Sequence, residues 1–412
     1  MIEEVSATRV LGYHLGRNSR WCVKPGDPVI KGSPIAQGER WQHAAASGVV
    51  TSVSTSALIE VQSDRQEDTM LPLDAANVSA TALIERVQKA GIEGLGGAAY
   101  PTHLKLLAAI RHNVHTVVIN AVECEPGISC DAMLARCHAR DLLPALTALR
   151  QLPGIDQLVI ACSGHTRPGI TGNFEIRELP QTRPTDGEER RLLQTLFDVE
   201  VRRDSYPVAA GFMVINIGTL LAISEALAGK PLIRRLVTLT GDVRWVPIGL
   251  PIASLVSTPL FRSGGPLSGV IQNTSHAFVD KTSNAISEVT PERSSECIRC
   301  GRCDESCPEH LPVAQLLAWS GGGHVQQLSA LKLDDCIECG LCNPVCPSHI
   351  DVLAGLRLGL DSLRADQQRM VVVQEALARS SRHTLRLAEL ERIQSDRRAA
   401  RLDRLRQGQN DD

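Results

Sequence analysis

Aromatic side chains are scarce in this 412-residue chain, since Phe, Tyr and Trp together make up only 3% of it. Platforms on which bases could stack are therefore hard to build. The formal net charge of −3 gives no electrostatic attraction to nucleic acid either, so we expect no nucleic-acid partner. The amino-terminal residues also lack the apolar stretch of a cleavable signal peptide.

Long hydrophobic runs are missing as well. The longest covers residues 208–223, and Gly211, Asn216 and Gly218 interrupt it. It is too short and too broken for a transmembrane helix, so we expect a buried strand followed by a buried helix. Any role at a membrane is therefore predicted to be peripheral.

Cysteine, in contrast, is abundant: eight of the 13 cysteines lie between residues 297 and 346. In a chain without a secretory signal, clustered cysteines indicate metal ligands rather than disulfides. The eight form two runs of the pattern C-x2-C-x2-C-x3-C-P, the spacing of bacterial ferredoxins that carry 4Fe–4S clusters. Structural zinc sites are the alternative, but two complete runs that each end in Cys-Pro favour iron.

The spacing also predicts which cysteines share a cluster. Three cysteines at x2 intervals wrap one cluster, while the fourth reaches the other cluster. The predicted ligands of cluster one are Cys297, Cys300, Cys303 and Cys346, and those of cluster two are Cys336, Cys339, Cys342 and Cys307. The five other cysteines show no ligand spacing, and we expect most to be small buried residues: Cys22, Cys124, Cys130, Cys137 and Cys162.

Residues 8–65 are predicted to form short strands joined by turns. The pattern V-x-P-G-D-x-V-x-x-G at 23–32, followed by S-G-x-V at 47–50, resembles the barrel-sandwich fold of lipoyl and biotinyl domains. The lysine that those domains modify is not evident here. A structural or docking role is therefore predicted for this segment.

A glycine-rich loop follows a predicted helix at 80–90. Gly94, Gly96 and Gly97 lie in this loop, and a second helix begins near Thr102. Glycines allow close backbone approach, and free N–H groups at a helix start attract an anion, so the loop can hold a phosphate. It does not follow a strand and is therefore no Rossmann fingerprint.

Polar residues follow two predicted strands. The strand at 116–120 leads into Glu123 and Glu125, and the strand at 212–219 ends in Asn216 and Thr219. The carboxyl ends of parallel strands are where α/β folds place ligand contacts, although ordinary strand-end turns are the alternative. The acidic loop at 184–189 is most simply solvated surface.

These motifs, taken in order, resemble the C subunit of the Rnf (Rsx) ion-translocating oxidoreductase complex. They resemble more distantly the flavin-bearing, NADH-binding subunit of respiratory complex I. The resemblance spans about residues 8–360 and depends on the two cysteine runs and four further motifs: YHLG at 13–16, GLGGAAYPTHLKL at 94–106, INAVECEP at 119–126 and RSGGPLSG at 262–269.

The resemblance implies a noncovalent FMN and NAD(H) as substrate. It implies that Lys105 lies at the flavin phosphate or ring, and that Lys105 and Glu125 are catalytic. The other implied cofactor contacts are Gly94, Gly96, Gly97, Asn120, Glu123, Gly187, Glu188, Glu189, Asn216 and Thr219.

The implied fold class is multidomain, with α/β and α+β parts. A barrel-sandwich domain at 1–70 precedes an α/β flavin- and nucleotide-binding domain at 78–230. A β-grasp domain at 231–285, a two-cluster ferredoxin-like module at 286–360 and a charged helical tail at 361–412 follow.

Several nucleotide-facing positions depart from the family pattern, whereas the cysteines are intact. Ala99 replaces a glycine, Ala132 replaces an aspartate expected after Asp131, and the loops at 183–187 and 201–205 diverge. Electron transfer by the clusters is thus better supported by the sequence than NADH oxidation.

The function implied by the resemblance is that of a peripheral subunit on the cytoplasmic side of the cell inner membrane. It would pass electrons between NAD(H) and ferredoxin, or another low-potential carrier, while partner membrane subunits move ions. One alternative is a flavin-less paralogue that serves only as an iron–sulfur relay. Another is a soluble cobalamin-reductase-like flavoprotein, in which the barrel-sandwich segment would follow the clusters rather than precede them.

Replacing Cys346 by Ala tests the predicted crossover of ligands. Cluster one, otherwise held by the first cysteine run, should be lost or converted to a three-iron form, while cluster two persists. Electron paramagnetic resonance of anaerobically purified protein measures this change. Stoichiometric zinc in place of iron would contradict the iron–sulfur interpretation.

Overall fold

The chain folds into two compact units. The computed structural model describes residues 2–62, 67–97, 99–164, 166–179, 185–202, 205–290, 293–322 and 324–407. The first unit comprises Met1–Ser295 with Cys339–Pro344, and the second comprises Glu296–Glu338 with Val345–Asp412. The cysteine-rich segment therefore contributes to both units. Parts of the divergent loops, at 183–184 and 203–204, lie outside the described residues, as does residue 98.

Seven short strands open the first unit, as the sequence predicts. They are β1 (Val10–His14), β2 (Ser19–Trp21), β3 (Pro28–Val29), β4 (Pro34–Gly38), β5 (Gln42–His43), β6 (Gly48–Val53) and β7 (Ser56–Val61). They form two antiparallel sheets with the strand orders β1-β7-β6-β3 and β2-β4-β5. The name barrel-sandwich for this segment stays a prediction.

A parallel sheet forms the centre of the first unit. Its strands are β8 (Thr116–Ala121), β9 (Gln157–Cys162), β10 (Glu175–Glu178) and β11 (Phe212–Asn216), in the order β10-β9-β8-β11. The chain leaves β8 towards β9 and β10, then returns to pair β11 with the other side of β8. The direction of strand addition thus reverses at β8, and a ligand is expected in the crevice at the carboxyl ends of β8 and β11.

Six α-helices of the described residues accompany this sheet. They are α1 (Ala80–Lys89), α2 (Thr102–Arg111), α3 (Cys130–Cys137), α4 (Leu143–Arg150), α5 (Glu189–Phe197) and α6 (Ile217–Leu227). Ser79 caps α1 by accepting a hydrogen bond from the Ala82 N–H. Nine of the 11 residues of α6 are buried, which confirms the predicted buried helix after the 212–216 strand. Thr219, predicted at the strand end, lies instead in the first turn of α6, because Asn216 caps the helix there.

A mixed five-stranded sheet completes the first unit. It consists of β12 (Arg234–Leu239), β13 (Asp242–Pro247), β14 (Leu260–Ser263), β15 (Val270–Asn273) and β16 (Ala285–Glu288), in the order β13-β12-β16-β14-β15. β14 and β15 form a hairpin whose loop, residues 264–269, carries most of the RSGGPLSG motif.

In the described part of the second unit there are four α-helices: α7 (Arg302–Glu305), α8 (Val313–Ser320), α9 (Val325–Ala330) and α10 (Val352–Gln407). The start of the 56-residue α10 is packed through a stripe of buried residues. The stripe consists of Val352, Leu353, Leu356, Leu360 and Leu363, at helical spacing. Residues 367–402 are exposed throughout, as expected for a charged helical tail.

The prediction that most of the five non-ligand cysteines are buried is wrong. Cys130 and Cys162 are buried, but Cys22, Cys124 and Cys137 are exposed. Composition alone indicates that cysteine favours the interior, whereas the face on which each residue lies depends on tertiary packing. Burial raises the pKa of the Cys130 thiol to about 12.

None of the helices that the structure describes combines the length and apolar character needed to cross a bilayer.

A buried ion network joins three parts of the first unit. The Lys281 ammonium lies 2.8 Å from Glu93 Oε1, and both side chains are almost fully buried. Arg40, from the amino-terminal sheets, lies 2.6 Å from the other oxygen of the same carboxylate. Lys281 also donates to the carbonyls of Trp41 and Gly91, so all three of its protons have acceptors. Glu93 begins the glycine loop, and the network therefore fixes the entrance to that loop.

Glu93→Gln should lower the free energy of unfolding by roughly 3–5 kcal/mol, because it leaves the Lys281 charge buried without a counter-charge. Urea denaturation followed by circular dichroism measures the change. The matched control is Glu85→Gln, which removes an exposed i,i+4 partner of Lys89 and should cost under about 0.5 kcal/mol. Equal effects of the two variants would contradict a dependence on the buried network.

Candidate functional site

The carboxyl ends of β8 and β11 bring two asparagines together. Asn120 and Asn216 are direct partners in the parallel register of these strands. Asn120 donates to the Gly187 carbonyl at 2.8 Å and accepts from the Val122 N–H at 3.0 Å. Asn216 accepts from the Gly218 N–H and donates to Asp131 Oδ2, both at 2.8 Å. Both amides therefore shape the crevice by holding the loops around it.

The glycine loop is held over this crevice. The Leu95 N–H donates to the Thr219 hydroxyl at 2.9 Å, and the Leu95 carbonyl accepts from the buried Arg235 guanidinium at 2.9 Å. Gly96 lies against Asn216, where a Cβ would make ordinary contacts of 3.5–3.7 Å. Gly97 has φ +113° and open space beside its Cα. Thr219 and Leu95 thus fix the loop, and the glycines leave room on its outer side.

The start of α2 carries an unpartnered hydroxyl. Thr102 is 2% exposed, and its Oγ1 has no hydrogen-bond partner in the described part of the chain. The N-cap position of α2 is Pro101, which supplies no side-chain cap. A buried hydroxyl without a partner costs free energy, and a helix start favours negative charge. An anion such as a phosphate group at this point would accept a hydrogen bond from the Thr102 hydroxyl and would place negative charge at the helix start.

Lys105 lies on α2, and its ammonium binds groups of α5 and β11. Its ammonium contacts the Glu189 carboxylate and the Val214 carbonyl, each at 2.7 Å. Glu188, the neighbour of Glu189, caps α5 by accepting from the N–H groups of Arg190 and Arg191. The predicted Gly187-Glu188-Glu189 segment therefore lies beside the crevice and ties α5 to α2.

Gly187 itself is required by close packing. A Cβ at this position would overlap the Cys124 sulfur and approach the Val122 carbonyl oxygen to 2.9 Å. Because the Gly187 carbonyl also accepts from Asn120, this glycine closes one side of the crevice.

Two neighbouring carboxylates form an acidic pair at the start of α3. Glu123 Oε1 accepts from the N–H groups of Asp131 and Ala132, at 2.8 and 3.2 Å. Burial raises the pKa of Glu123 above its ordinary value. Burial and, secondarily, the nearby Glu123 charge raise the pKa of Asp131 well above its ordinary value. This pair therefore retains protons at a higher pH than exposed carboxyls do.

Glu125 is held by the 264–269 loop. Its Oε2 accepts from the Leu267 N–H and its Oε1 from the Ser268 N–H, both at 2.9 Å, and the Ser268 hydroxyl donates to the same carboxylate. A Cβ on Gly265 would overlap this carboxylate. The structure thus brings the INAVECEP and RSGGPLSG motifs into direct contact.

Sequence reasoning misses three residues of this site. Arg235 has no local motif that marks it, and only the fold reveals its bond to the glycine loop. The sequence marks Asp131 only as a position in the family pattern. It includes Thr102 in the predicted phosphate-binding helix start, but assigns the anion contact to backbone N–H groups and not to the Thr102 hydroxyl.

The two cysteine runs share an unusual backbone pattern. In the first run Arg299 and Gly301 have positive φ values of 56° and 77°, and in the second Glu338 and Gly340 have 53° and 72°. His310 and His349, each three residues after the final cysteine of its run, also have positive φ values, of 54° and 51°. Left-handed residues at alternating positions turn successive N–H groups towards one side, which suits a bound anion.

These loops fit the iron–sulfur clusters that the spacing predicts. Eight thiols on two equivalent loops match the donor set of two 4Fe–4S clusters, and the backbone N–H groups can donate to cluster or thiolate sulfur. The Glu338 N–H already lies 3.4 Å from the Cys336 sulfur. Within the described ranges, no three His, Cys, Asp or Glu side chains converge on a site for one metal ion.

The acidic pair gives a pH-dependence that can be measured. The folded-state pKa of Asp131 is raised, so the folded protein is destabilised when this carboxyl loses its proton. The free energy of unfolding should therefore fall as the pH rises above about 4. Asp131→Asn should therefore lose less stability than the parent protein between pH 4 and pH 7, as measured by urea denaturation at a series of pH values.

Asp242→Asn provides a control of opposite sign. The Arg244 guanidinium and the Val243 N–H lower the pKa of Asp242. Ionisation of Asp242 therefore raises the free energy of unfolding of the protein as the pH rises. In Asp242→Asn this rise in the free energy of unfolding should be absent. A change in the same direction for both variants would contradict the interpretation of the acidic pair.

Two protein-family models match parts of this chain. The model of the Nuo51 FMN-binding domain family matches residues 87–225, and that of the 4Fe–4S dicluster domain family matches residues 296–350. The first range contains the crevice, the glycine loop and the acidic pair, and the second contains both cysteine runs.

Curated relatives include the C subunit of the ion-translocating oxidoreductase complex of Serratia proteamaculans, which is 34% identical over 76% of this chain and 51% of its own length. The protein of the same name from Pseudomonas aeruginosa is 33% identical over 95% of this chain and 56% of its own length. The chain thus spans about half the length of the curated relatives it matches.

Among solved structures, an NAD+-reducing NiFe hydrogenase in the H2-reduced state matches with a TM-score of 0.47 and 17% identity. The match covers 72% of this chain and 67% of that chain. A likeness this distant assigns no function. The chain is thus similar to the C subunit of the ion-translocating oxidoreductase complex, and it contains regions that match the Nuo51 FMN-binding domain family and the 4Fe–4S dicluster domain family.

Proposed function

We propose that this chain is the peripheral electron-transfer subunit of an Rnf-type complex. It would exchange electrons between NAD(H) and ferredoxin, or another low-potential carrier, on the cytoplasmic side of the inner membrane. Membrane-embedded partner subunits would supply the path for the ions. Two observations carry the proposal: the strand order switches at β8, beside β11, and the Thr102 hydroxyl at the start of α2 is buried without a partner in the described part of the chain.

The chemistry of the crevice fits an FMN. In the proposal the N–H groups of Gly96 and Gly97 and the hydroxyl of Thr102 hold the phosphate at the start of α2. Open space beside Gly97 allows a ligand to approach the backbone closely. Other groups predicted to line the crevice are Gly94, Asn120, Glu123, Gly187, Glu188, Glu189, Asn216 and Thr219.

The chain's own residues would set the conditions for redox chemistry. Bound FMN supplies the ability to take two electrons as a hydride and release them singly. The paired asparagines bind Gly187 and Asp131 beside the strand ends, and Thr219 with Arg235 holds the glycine loop in place. The acidic pair of Glu123 and Asp131 can retain a proton beside the crevice.

The catalytic roles predicted for Lys105 and Glu125 are not part of this proposal. The Lys105 ammonium is paired with Glu189 and bound to the Val214 carbonyl. The Glu125 carboxylate already accepts three hydrogen bonds from the 264–269 loop. Either residue would have to abandon these partners to reach a nucleotide, so positioning roles explain the contacts better.

A relay without flavin is the second candidate function. It is favoured by the engagement of Lys105 within the protein and by Ala99, which adopts a left-handed φ of 46° where the family has glycine. A left-handed alanine costs roughly 1–2 kcal/mol relative to a right-handed one. Part of the loop that forms the family's flavin site is thus strained in this chain.

Gly96→Glu should expel flavin, because the added carboxylate would compete with a phosphate near the start of α2. Gly96→Ala is the matched control, since its Cβ would make only ordinary contacts with Asn216 and flavin should be retained. Flavin and iron are to be quantified after anaerobic purification of the full chain.

Both variants should keep their iron, since the cysteine runs lie far away in sequence. Reduction by NADH should be lost in Gly96→Glu, while dithionite should still reduce the clusters. A parent protein that binds no flavin under saturating conditions, yet still passes electrons between carriers, would replace the proposed function with the relay.

A further inference from the structure

The predicted ligands of cluster one all lie in the second unit: Cys297, Cys300, Cys303 and Cys346. The first three precede Cys339–Pro344, a segment that belongs to the first unit, and Cys346 follows it. One cluster can form only if the chain brings Cys346 back to the first cysteine run. Both sides of that contact are residues of the second unit.

Ser348 forms a contact of this kind. Its hydroxyl donates to the Glu296 carbonyl at 3.0 Å, although the two residues are 52 positions apart. Glu296 directly precedes Cys297, and Ser348 lies two residues after Cys346. Ser348 is 4% exposed, so little water reaches its hydroxyl to replace the carbonyl as acceptor. The hydrogen bond therefore joins the chain beside the first ligand of cluster one to the chain beside its fourth ligand.

A tight turn connects Ser348 to Cys346. The His349 N–H donates to the Cys346 carbonyl at 3.2 Å, which closes a turn of four residues, and His349 itself has a left-handed φ of 51°. Such a turn fixes its residues relative to one another. The point at which the Ser348 hydroxyl is bound therefore constrains where the Cys346 thiol lies.

The first run ends in the same turn without the hydroxyl. The His310 N–H donates to the Cys307 carbonyl at 3.1 Å, and His310 has a left-handed φ of 54°. Glu309 takes the position that corresponds to Ser348. The turn itself therefore does not require a serine, and the Ser348 hydroxyl serves its contact with Glu296.

We propose that Ser348 is a positioning residue that holds Cys346 against the first cysteine run and so completes cluster one. The cysteine spacing predicts which ligands share a cluster, but it does not indicate the contact that brings them together. Ser348 supplies that contact beside the ligand that lies farthest in sequence from the other three. The inference depends on the predicted ligands of cluster one and is independent of the flavin and NADH chemistry of the proposed function.

Loss of iron is the reaction in which this contact matters. When ferricyanide oxidises a 4Fe–4S core of charge 2+, the core releases one Fe2+ and passes one electron to ferricyanide, which leaves a three-iron core of charge 1+. The bonds that held that iron, including the bond to its cysteine sulfur, break in this step. In cluster one, the iron held by Cys346 should leave first when the thiolate is no longer fixed in place.

Ser348→Ala tests the hydrogen bond. Cluster one of this variant should convert to the three-iron form roughly tenfold faster than that of the parent protein, because a hydrogen bond that holds Cys346 is lost. The full chain is to be purified anaerobically and mixed with ferricyanide. Electron paramagnetic resonance of the three-iron signal then gives the rate.

Ser306→Ala is the matched control. The Ser306 hydroxyl donates to the Cys303 carbonyl at 3.1 Å, so it also binds a backbone carbonyl near cluster one, but it does so within the first run. Its removal should leave the rate of conversion unchanged. Equal acceleration in Ser306→Ala and Ser348→Ala would overturn the proposal.

The Cys346→Ala background separates positioning from general stability. In this background Ser348→Ala should not change the rate at which cluster one releases iron to a chelator, because the ligand that the serine positions is already absent. An acceleration as large as in the parent background would give Ser348 a general structural role and overturn the inference.

Ser348→Thr keeps the hydroxyl and should convert as slowly as the parent protein. If Ser348→Ala assembles neither cluster, Ser348→Thr decides: cluster one restored supports the hydrogen bond, and both clusters absent contradict it. The proposed function fails separately, since a parent protein without flavin would leave all of these iron measurements unchanged.

Discussion

The buried contact between Lys281 and Glu93 is the constraint on which the first unit depends. Two opposite charges that are almost fully removed from water must stay together, because either one alone would be very costly to bury. Through Arg40 and Lys281 this contact ties the amino-terminal sheets and the later mixed-sheet segment to the start of the glycine loop. The loop that covers the crevice is therefore fixed by residues far from it in sequence.

The elements of the central sheet could be predicted from the sequence, because their signals are local. The apolar run at 116–120 is the strand β8, and the cysteine spacing matches the dicluster domain family. The sequence places Thr219 at the end of a strand, whereas the structure places it in α6. The helix begins early because Asn216 caps it, and an apolar pattern does not indicate such a hydrogen bond. Local signals therefore predict a strand or a cysteine run better than they predict the residue at which a helix begins.

The partners of the motif residues could not be predicted at all. Asn216 binds Asp131, Thr219 binds Leu95, and Glu125 binds Leu267, which lies 142 positions later in the chain. Such pairings arise only when strands and helices pack, and no spacing rule indicates them. Many conspicuous polar residues prove to support the backbone around the crevice, and Thr102 is the exception whose hydroxyl stays free within the described residues.

The long helix α10 divides the second unit into parts of very different stability. Its first turns are packed through Leu356 and Leu360, but residues 367–402 have only solvent and short-range ion pairs, such as that of Arg392 with Glu389. Such pairs contribute about 0.2–0.5 kcal/mol each. The outer part of a helix about 84 Å long can therefore fray and re-form without opening the core. Heating would melt the arm gradually and the packed units cooperatively, giving two thermal transitions of different sharpness.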